Sequence, residues 1–198
     1  MKNAHPTLAS KSVSKNKSFC GHIVLIGPIG VGKTTLAEMI SAQLGIPHLN
    51  FDLLDEEREP LGFRGDDEFH AREKGRLQQM RYLARFTVPL VKRLAERHPA
   101  AVLDCGGTEF VGITTGERAS LQANVRRLRL KYIAAILPFR SIPKSRAFMA
   151  GRRTLNEFDE LLLSNPSYAL LANRVFYTRG RPLEMVAEEI IAWVRSGV

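Results

Sequence analysis

Short runs of apolar, often β-branched residues alternate along the chain with longer segments whose apolar residues recur at helical spacing. Five of the short runs are predicted strands, at His22–Gly27, Ile46–Asp52, Ala100–Asp104, Lys131–Leu137 and Val175–Thr178. The longer segments are predicted helices, at Lys33–Leu44, about 66–98, Gly116–Arg127, Asn156–Ala172 and Leu183–Val194. Strands that alternate with helices are typical of a parallel sheet with crossover connections. The pattern therefore predicts an α/β protein with about five parallel strands.

Glycine and proline predict where these elements end or break. Gly45 is a natural left-handed cap for the first helix, and Pro89 is expected to kink or divide the long helix. Asn165 and Pro166 should split the segment Asn156–Ala172 into two pieces. The charged segment 52–65 is expected to be a loop, and helical potential returns from Lys144 onward.

Composition is ordinary for a water-soluble globular domain. The 198 residues are 44% apolar and 25% charged, and no apolar run approaches the length of a membrane span. We expect a single domain over residues 21–198, with no membrane partner, as a monomer or weak dimer. Two cysteines are too few for a disulfide framework or a zinc site, so a cytoplasmic location is expected.

The net charge of +9 is unevenly distributed. Residues 1–20 contain four lysines and no acidic residue, and they lack the apolar stretch of a secretory signal. A disordered basic leader is the expected state, with an organelle-targeting segment as the alternative. The remaining charge is modest and basic residues do not alternate with aromatic ones, so nucleic acid is not an expected partner.

The most informative motif is Gly27-Pro28-Ile29-Gly30-Val31-Gly32-Lys33-Thr34, a complete G-x-x-x-x-G-K-[ST] sequence between a predicted strand and helix. Its glycines allow backbone N–H groups to surround phosphate oxygens, and the following helix directs its positive end at the same anion. Lys33 is predicted to contact the β- and γ-phosphates, and Thr34 to ligate Mg²⁺. The predicted nucleotide-binding residues are Gly27, Ile29, Gly30, Val31, Gly32, Lys33, Thr34 and Thr35. The motif predicts binding of a nucleotide polyphosphate.

Polar residues at the predicted strand ends are candidates for chemistry, because these ends face the ligand crevice of an open α/β sheet. Asp104 could hold a Mg²⁺-bound water or orient the nucleophile, or could be a loop aspartate satisfied by backbone N–H groups. Asp52 could bind or deprotonate an acceptor hydroxyl, or could cap the next segment. Gly106 and Gly107 would permit a close approach of backbone to substrate, or form a plain turn.

Two groups of basic residues could bind anions. Arg72 and Arg76 share one face of the long helix and could receive an anionic substrate, although such a face is usually only solvated. Arg152 and Arg153 lie in a basic segment after the fourth strand. They could belong to a mobile lid, at about 138–160, that neutralises charge on the γ-phosphate, or to a basic surface helix.

Taken together, these motifs resemble the shikimate kinase and nucleoside-monophosphate kinase group of P-loop phosphotransferases. The resemblance covers roughly Gly21 to the C-terminus. Its segments are the phosphate loop, Leu44-Gly45-Ile46-Pro47-His48-Leu49-Asn50-Phe51-Asp52, Gly65-Asp66-Asp67-Glu68-Phe69-His70, Asp104-Cys105-Gly106-Gly107, and Asn165-Pro166-Ser167 with Val175 to Glu184. The resemblance implies a three-layer α/β/α fold with a helical lid, and it implies that Arg179 to Pro182, including Arg181, lie near the base of the nucleotide.

The departures from the shikimate kinase pattern fall on the acceptor side. Asn50 replaces the first residue of an Asp-x-Asp pair, His70 stands where that family has a shikimate-binding arginine, and Thr108 replaces the third glycine. The resemblance therefore implies a kinase that uses ATP and Mg²⁺ on a hydroxyl of a small metabolite, with an altered acceptor site. Lys33, Asp52, Arg152 and Arg153 are the expected catalytic residues, and Asp52, His70, Arg72, Gly106 and Gly107 the expected acceptor-binding residues. A nucleoside or nucleotide kinase and a regulatory ATPase are the alternatives.

Overall fold

A computed structural model describes residues 19–197. All but the last two residues of the predicted basic leader therefore lie outside the described residues. Within the described range the strands are β1 (Gly21–Ile26), β2 (His48–Asn50), β3 (Ala100–Asp104), β4 (Tyr132–Leu137) and β5 (Arg174–Tyr177). The α-helices are α1 (Lys33–Leu44), α2 (Asp55–Arg58), α3 (Gly65–Glu73), α4 (Arg76–Arg97), α5 (Thr115–Arg127), α6 (Ile142–Ala150), α7 (Glu157–Ser164), α8 (Ser167–Leu171) and α9 (Leu183–Ser196).

The five strands form one parallel sheet in the order β2-β3-β1-β4-β5. Because all strands point the same way, the segment after every strand emerges at one edge of the sheet. β1 is central, so the loop that follows it lies between the segments that follow β3 and β4. This is the switch point of an open α/β sheet, where ligands bind in such folds.

Apolar residues bury both faces of the sheet. On one face α1 and α9 pack through residues such as Leu36, Ile40 and Ile190. On the other face α4 and α8 pack through Leu90 and Tyr168. The strands are buried on both sides, which is why they appear in the sequence as nearly continuous apolar runs. The three-layer α/β/α architecture predicted from the sequence is confirmed.

The long predicted helix is divided, but not at the proline. α4 continues through Pro89, and the break lies at Gly75, where the chain turns between α3 and α4. Gly75 has φ +108°, a backbone conformation that residues with a side chain rarely adopt. Of the two outcomes predicted at Pro89, a kink or a division, division does not occur, because the packed face of α4 outweighs the local cost of one proline.

The segment after β2 is helical rather than a loop. Asn50 ends the strand because its side-chain oxygen accepts the Asp52 N–H at 3.0 Å and begins a 3₁₀ turn over Phe51–Leu53. α2 follows directly and ends at the buried Arg58. Asp52 was predicted to end the strand, but it lies two residues beyond the end of β2, within the 3₁₀ turn.

The predicted lid region contains α6 and α7, which pack against each other after β4. α6 begins at Ile142, two residues before the predicted start, because the Ser141 side chain caps it. The predicted division of the next segment at Asn165 and Pro166 is confirmed, since α7 ends at Ser164 and α8 begins at Ser167. None of the helices formed by residues 19–197 is both long and apolar enough to cross a membrane.

Candidate phosphate-binding and acceptor site

The phosphate-binding motif forms the loop between β1 and α1. Gly27, Gly30 and Gly32 all have positive φ angles, of 149°, 80° and 96°. A side chain on Gly27 would collide with the backbone of Ile136, so the loop leaves the sheet in contact with β4. Gly32 precedes α1 and offers no side-chain cap, which leaves the first N–H groups of the helix available for an anion.

Lys33 is folded back over this loop. It is 7% exposed, and its Nζ atom donates to the carbonyl oxygens of Gly27 at 2.9 Å and Pro28 at 3.0 Å. Burial lowers the pKa of Lys33, and the negative charges of Asp104 and Glu109 oppose that shift. The ammonium group is thus held at the loop, where phosphate oxygens would replace the two carbonyl partners.

Asp104 ends β3 beside the loop. It is 2% exposed, and its Oδ2 atom has no hydrogen-bond partner among the described residues. His48 Nε2 lies 3.5 Å from Asp104 Oδ2, and this nitrogen also lacks a hydrogen-bond partner among the described residues. An unsatisfied buried carboxylate oxygen fits a group that receives a hydrogen bond from a metal-bound water.

The metal itself would take few protein ligands at this position. Within residues 19–197 no group of three or more His, Cys, Asp or Glu side chains could hold an ion. Mg²⁺ is commonly bound by one or two protein oxygens together with substrate phosphates and waters. The exposed Thr34 hydroxyl and the Asp104 carboxylate are a donor set of that kind.

Gly106 and Gly107 connect the phosphate loop to a pair of acidic residues. A Cβ on Gly107 would lie 2.5 Å from Cγ1 of Ile29, so Gly107 allows direct contact with the phosphate loop. A Cβ on Gly106 would lie 2.8 Å from an Asp52 oxygen and 2.5 Å from a Glu109 oxygen. The close approach predicted for these glycines therefore occurs between segments of the protein itself. Their predicted contact with substrate stays a prediction.

Glu109 is the acidic residue that the sequence interpretation missed. It is 2% exposed, and burial followed by the charge of Asp52 raises its pKa, while the charges of Arg58 and Lys33 act in the opposite direction. Arg58, also overlooked, lies with Nη2 at 3.5 Å from Glu109 Oε1 and donates to Asp55 at 2.8 Å. Glu109 follows a strand end by five residues, and that position was the one available signal for it.

A polar cavity of about 260 Å³ opens beside Asp52. It is lined by Asp52, Asp55, Arg58, Glu68, Arg76, Gln79, Met80, Leu83, Thr108 and Phe158. These residues come from the segment after β2, from α3 and α4, from the loop after β3 and from α7. The cavity is the candidate acceptor site because it adjoins the carboxylate pair, which in turn adjoins the phosphate loop.

His70 and Arg72 are not brought to that cavity. His70 is exposed, lies 3.3 Å from Glu73, and lines a separate groove of about 650 Å³ together with Arg81 and Arg85. Arg72 is exposed near the end of α3. The sequence-based interpretation grouped both residues with Asp52 on one acceptor pocket, and the structure does not bring them together. Of the two helix arginines, Arg76 is the one that lines the Asp52 cavity.

A second cavity, of about 350 Å³, lies on the other side of the phosphate loop. Val31 and Gly32 form one wall, Phe148 and Arg152 another, and residues 178–183 the third. Arg181 is on this wall, where Nη1 pairs with Glu189 at 2.8 Å. The cavity is the candidate site for the base of the nucleotide, at the position predicted for Arg179 to Pro182.

The two lid arginines have different surroundings. Arg152 places its guanidinium 4.9 Å from the centre of the Phe148 ring, at the candidate base site. Arg153 donates two hydrogen bonds to Asp159, at 2.8 and 2.7 Å. Its Nε atom lies 3.8 Å from the position that a Cβ on Gly30 would occupy. Arg153 is therefore the one beside the phosphate loop.

Comparison with known proteins supports this architecture. The family model described as ATPase family associated with various cellular activities (AAA) matches residues 23–88, a segment that contains the phosphate loop. A search of curated protein sequences finds no match.

Similar solved structures share the fold at low sequence identity. The shikimate kinase of Acinetobacter baumannii, in complex with shikimate, has a TM-score of 0.54 and 18% identity, over 91% of this chain and 96% of that one. The tunicamycin resistance protein of Deinococcus radiodurans has a TM-score of 0.53 and 14% identity, over 88% and 96%. The shikimate kinase of Bacteroides thetaiotaomicron has a TM-score of 0.52 and 15% identity, over 88% and 98%. The chain thus has the P-loop kinase fold that its motifs predicted.

Proposed function

We propose that the protein is a kinase that transfers the γ-phosphoryl group of MgATP to a hydroxyl group of a small polar molecule. The observation that carries the proposal is the contact between Gly107 and Ile29. Because of this contact, the phosphate loop and the Asp52 cavity are neighbours. A donor phosphate and an acceptor hydroxyl bound in these two places would lie close to each other, which is the main requirement of phosphoryl transfer.

On the donor side, the loop N–H groups and Lys33 would bind the β- and γ-phosphates. Thr34 would ligate Mg²⁺, and Asp104 would hold one of its waters through the unpaired Oδ2 atom. When bound, the ion would offset the negative charge of the phosphate oxygens. Arg153 lies beside Gly30 and would face the transferred group from the lid side. Arg152 and Arg181 line the cavity proposed for the base.

On the acceptor side, Asp52 would orient the hydroxyl group and accept its proton. Glu109 and Asp52 both approach Gly106, and Arg58 lies 3.5 Å from Glu109. The cavity wall contains both acidic and basic side chains, so a polar molecule with several hydrogen-bonding groups suits it. Since His70 and Arg72 lie away from this cavity, we propose that the acceptor is not shikimate, although the fold resembles that of shikimate kinases.

A second candidate function is supported by Arg76. Its position in the Asp52 cavity would suit the phosphate group of a nucleoside monophosphate, because a guanidinium binds phosphate through two hydrogen bonds. A nucleotide kinase is therefore the alternative, and nucleoside monophosphates belong among the acceptors tested.

The test measures the release of ADP from MgATP in a coupled spectrophotometric assay. The candidate acceptors are polyols, sugar acids, amino sugars, nucleosides and nucleoside monophosphates. We expect acceptor-dependent release with one of the first three classes, and loss of that release in Lys33→Met, since methionine fills the space of the buried lysine without its charge. Release stimulated by nucleosides or nucleoside monophosphates would favour a nucleoside or nucleotide kinase. MgATP binding without stimulation by any acceptor would overturn both kinase proposals in favour of a nucleotide-binding ATPase.

A further inference from the structure

Asp159 holds Arg153 through both terminal nitrogens of the guanidinium. Nη1 donates to Oδ2 at 2.8 Å and Nη2 donates to Oδ1 at 2.7 Å. The Asp159 side chain is 1% exposed, so solvent has little access to the accepting oxygens. Two parallel hydrogen bonds to one carboxylate fix the plane of the guanidinium as well as its position.

Asp159 is itself fixed by the start of α7. Asn156 caps this helix, accepting the Asp159 N–H at 3.0 Å, and the Asn156 N–H donates to Asp159 Oδ2 at 3.2 Å. These reciprocal hydrogen bonds are a capping box, which sets the first turn of a helix. The carboxylate is therefore held in place by the backbone as well as by Arg153.

The Nε atom of Arg153 takes no part in the hydrogen bonds to Asp159. It is shielded from solvent and has no hydrogen-bond partner among the described residues. It lies beside Gly30, at the middle of the phosphate loop. Buried N–H donors are nearly always satisfied in folded proteins, so an unsatisfied donor at a phosphate loop indicates a place for a phosphate oxygen.

We infer that Asp159 is a positioning residue that holds Arg153 so that its Nε–H group faces the terminal phosphate of a nucleotide bound at the loop. The inference rests on the proposed function for the presence of that nucleotide. It adds that the lid arginine is aimed by its own carboxylate partner before the nucleotide binds. Hydrogen bonding to Asp159 also raises the pKa of Arg153, and the same bonds lower the pKa of Asp159, so both groups stay charged.

The position of α7 connects this arginine to the acceptor side. Phe158, which precedes Asp159, lines the Asp52 cavity. The positive charge of Arg76, from the same cavity, also lowers the pKa of Asp159. α7 therefore contributes both to the wall of the acceptor cavity and, through Asp159, to the position of Arg153 at the phosphate loop.

The test compares the affinities of full-length variants for the magnesium complexes of a non-hydrolysable ATP analogue and of ADP, measured by titration calorimetry. A donor aimed at the terminal phosphate contributes to the first affinity more than to the second. We expect Asp159→Asn to reduce the ratio of the two affinities roughly tenfold, about the effect of losing one charge-assisted hydrogen bond. Arg153→Lys keeps the charge but lacks Nε, so it should reduce the ratio to a similar extent.

The matched control is Glu160→Gln. Glu160, in α7, pairs with Arg146, in α6, at 3.4 Å, but both side chains are about half exposed. This variant should keep the wild-type ratio. Asp159→Asn should have no further effect in an Arg153→Met background, whereas a purely structural role would persist there.

An unchanged ratio in Asp159→Asn, or an equal fall with Arg153 already removed, would overturn the inference. Should Asp159→Asn fail to fold, Arg153→Lys decides in its place, since it leaves Asp159 a cationic partner. Absence of ATP-analogue binding to the wild-type protein would instead overturn the proposed function. The two failures are therefore distinguishable.

Discussion

The Arg58 guanidinium lies 3.5 Å from the carboxylate of Glu109, and both side chains are almost fully buried. Arg58 belongs to α2 and Glu109 to the loop after β3, so the ion pair connects α2, which lines the proposed acceptor cavity, to the segment that follows β3. Ion pairs that are removed from water seldom add much net stability, but loss of one partner leaves a buried charge behind. The free energy of unfolding should therefore depend on the protonation of Glu109.

We predict that Glu109 destabilises the folded protein increasingly as pH rises. Its pKa is raised in the folded state by burial and by Asp52, so the unfolded chain releases this proton first, near pH 4.5, and the folded protein releases it only at higher pH. Between the two values the folded state binds more protons, and the free energy of unfolding falls with pH. A pKa difference of one between the folded and unfolded states corresponds to about 1.4 kcal/mol.

The measurement is urea unfolding of wild type and Glu109→Gln at several pH values from 4 to 8. The stability of wild type relative to Glu109→Gln should decline as pH rises. Glu57→Gln is a control of opposite sign, because hydrogen bonds from Arg93 and the charge of Arg97 lower the pKa of Glu57. The advantage of wild type over that variant should be present above about pH 4.5 and disappear in acid. If both variants changed in the same direction with pH relative to wild type, the pKa of Glu109 would not be raised in the folded protein.

Removal of the Asp104 carboxylate should weaken nucleotide binding only when magnesium is present. Asp104 Oδ2 is buried without a hydrogen bond, and we propose that a metal-bound water satisfies it. Asp104→Asn is therefore expected to reduce the affinity for MgATP roughly tenfold while affinity for ATP in EDTA changes little, in line with the effect of removing a group that supports a metal ligand. Calorimetry with and without magnesium measures both.

Asp55→Asn is the matched control for this experiment. The Asp55 side chain is 59% exposed and faces the acceptor cavity, so its loss should not alter either nucleotide affinity. An equal fall with and without magnesium in Asp104→Asn would indicate that Asp104 supports the fold of the loop rather than the metal.

The phosphate loop was predictable from sequence because its chemistry is local. Gly27, Lys33 and Thr34 lie within eight residues, and the spacing itself fixes the backbone geometry. Arg58 and Glu109 were not predictable in the same way, since their pairing depends on how the segments after β2 and β3 meet in space. The position of His70 was misjudged because the division at Gly75 changes how α3 is placed, and a broken apolar stripe does not locate such a division.

Gly107→Ala should impair the phosphate loop without unfolding the protein. The added methyl group would lie 2.5 Å from Ile29 Cγ1 and 3.0 Å from the Ile29 backbone nitrogen, so the loop must move. Because the loop N–H groups bind phosphate only in one arrangement, we expect the affinity for MgATP to fall by roughly tenfold or more.

The control is Gly116→Ala, in α5, where a Cβ meets no atom within 4 Å and φ is not positive. That variant should bind MgATP as wild type does and gain about 0.5 kcal/mol in stability. Equal affinities in both alanine variants would contradict the proposed contact.

Tyr168→Phe should destabilise the protein and remove a hydrogen bond that holds Gly107 in place. The Tyr168 hydroxyl is buried and donates to the Gly107 carbonyl at 2.6 Å, which ties α8 to the loop after β3. Without the hydroxyl, the carbonyl oxygen loses this buried partner, at a cost of about 1–3 kcal/mol. Urea unfolding measures that loss, and the MgATP affinity should fall less than in Gly107→Ala, because nothing is pushed into Ile29. An unchanged free energy of unfolding would show that the Gly107 carbonyl finds another partner, and Tyr168 would then have no part in holding the loop.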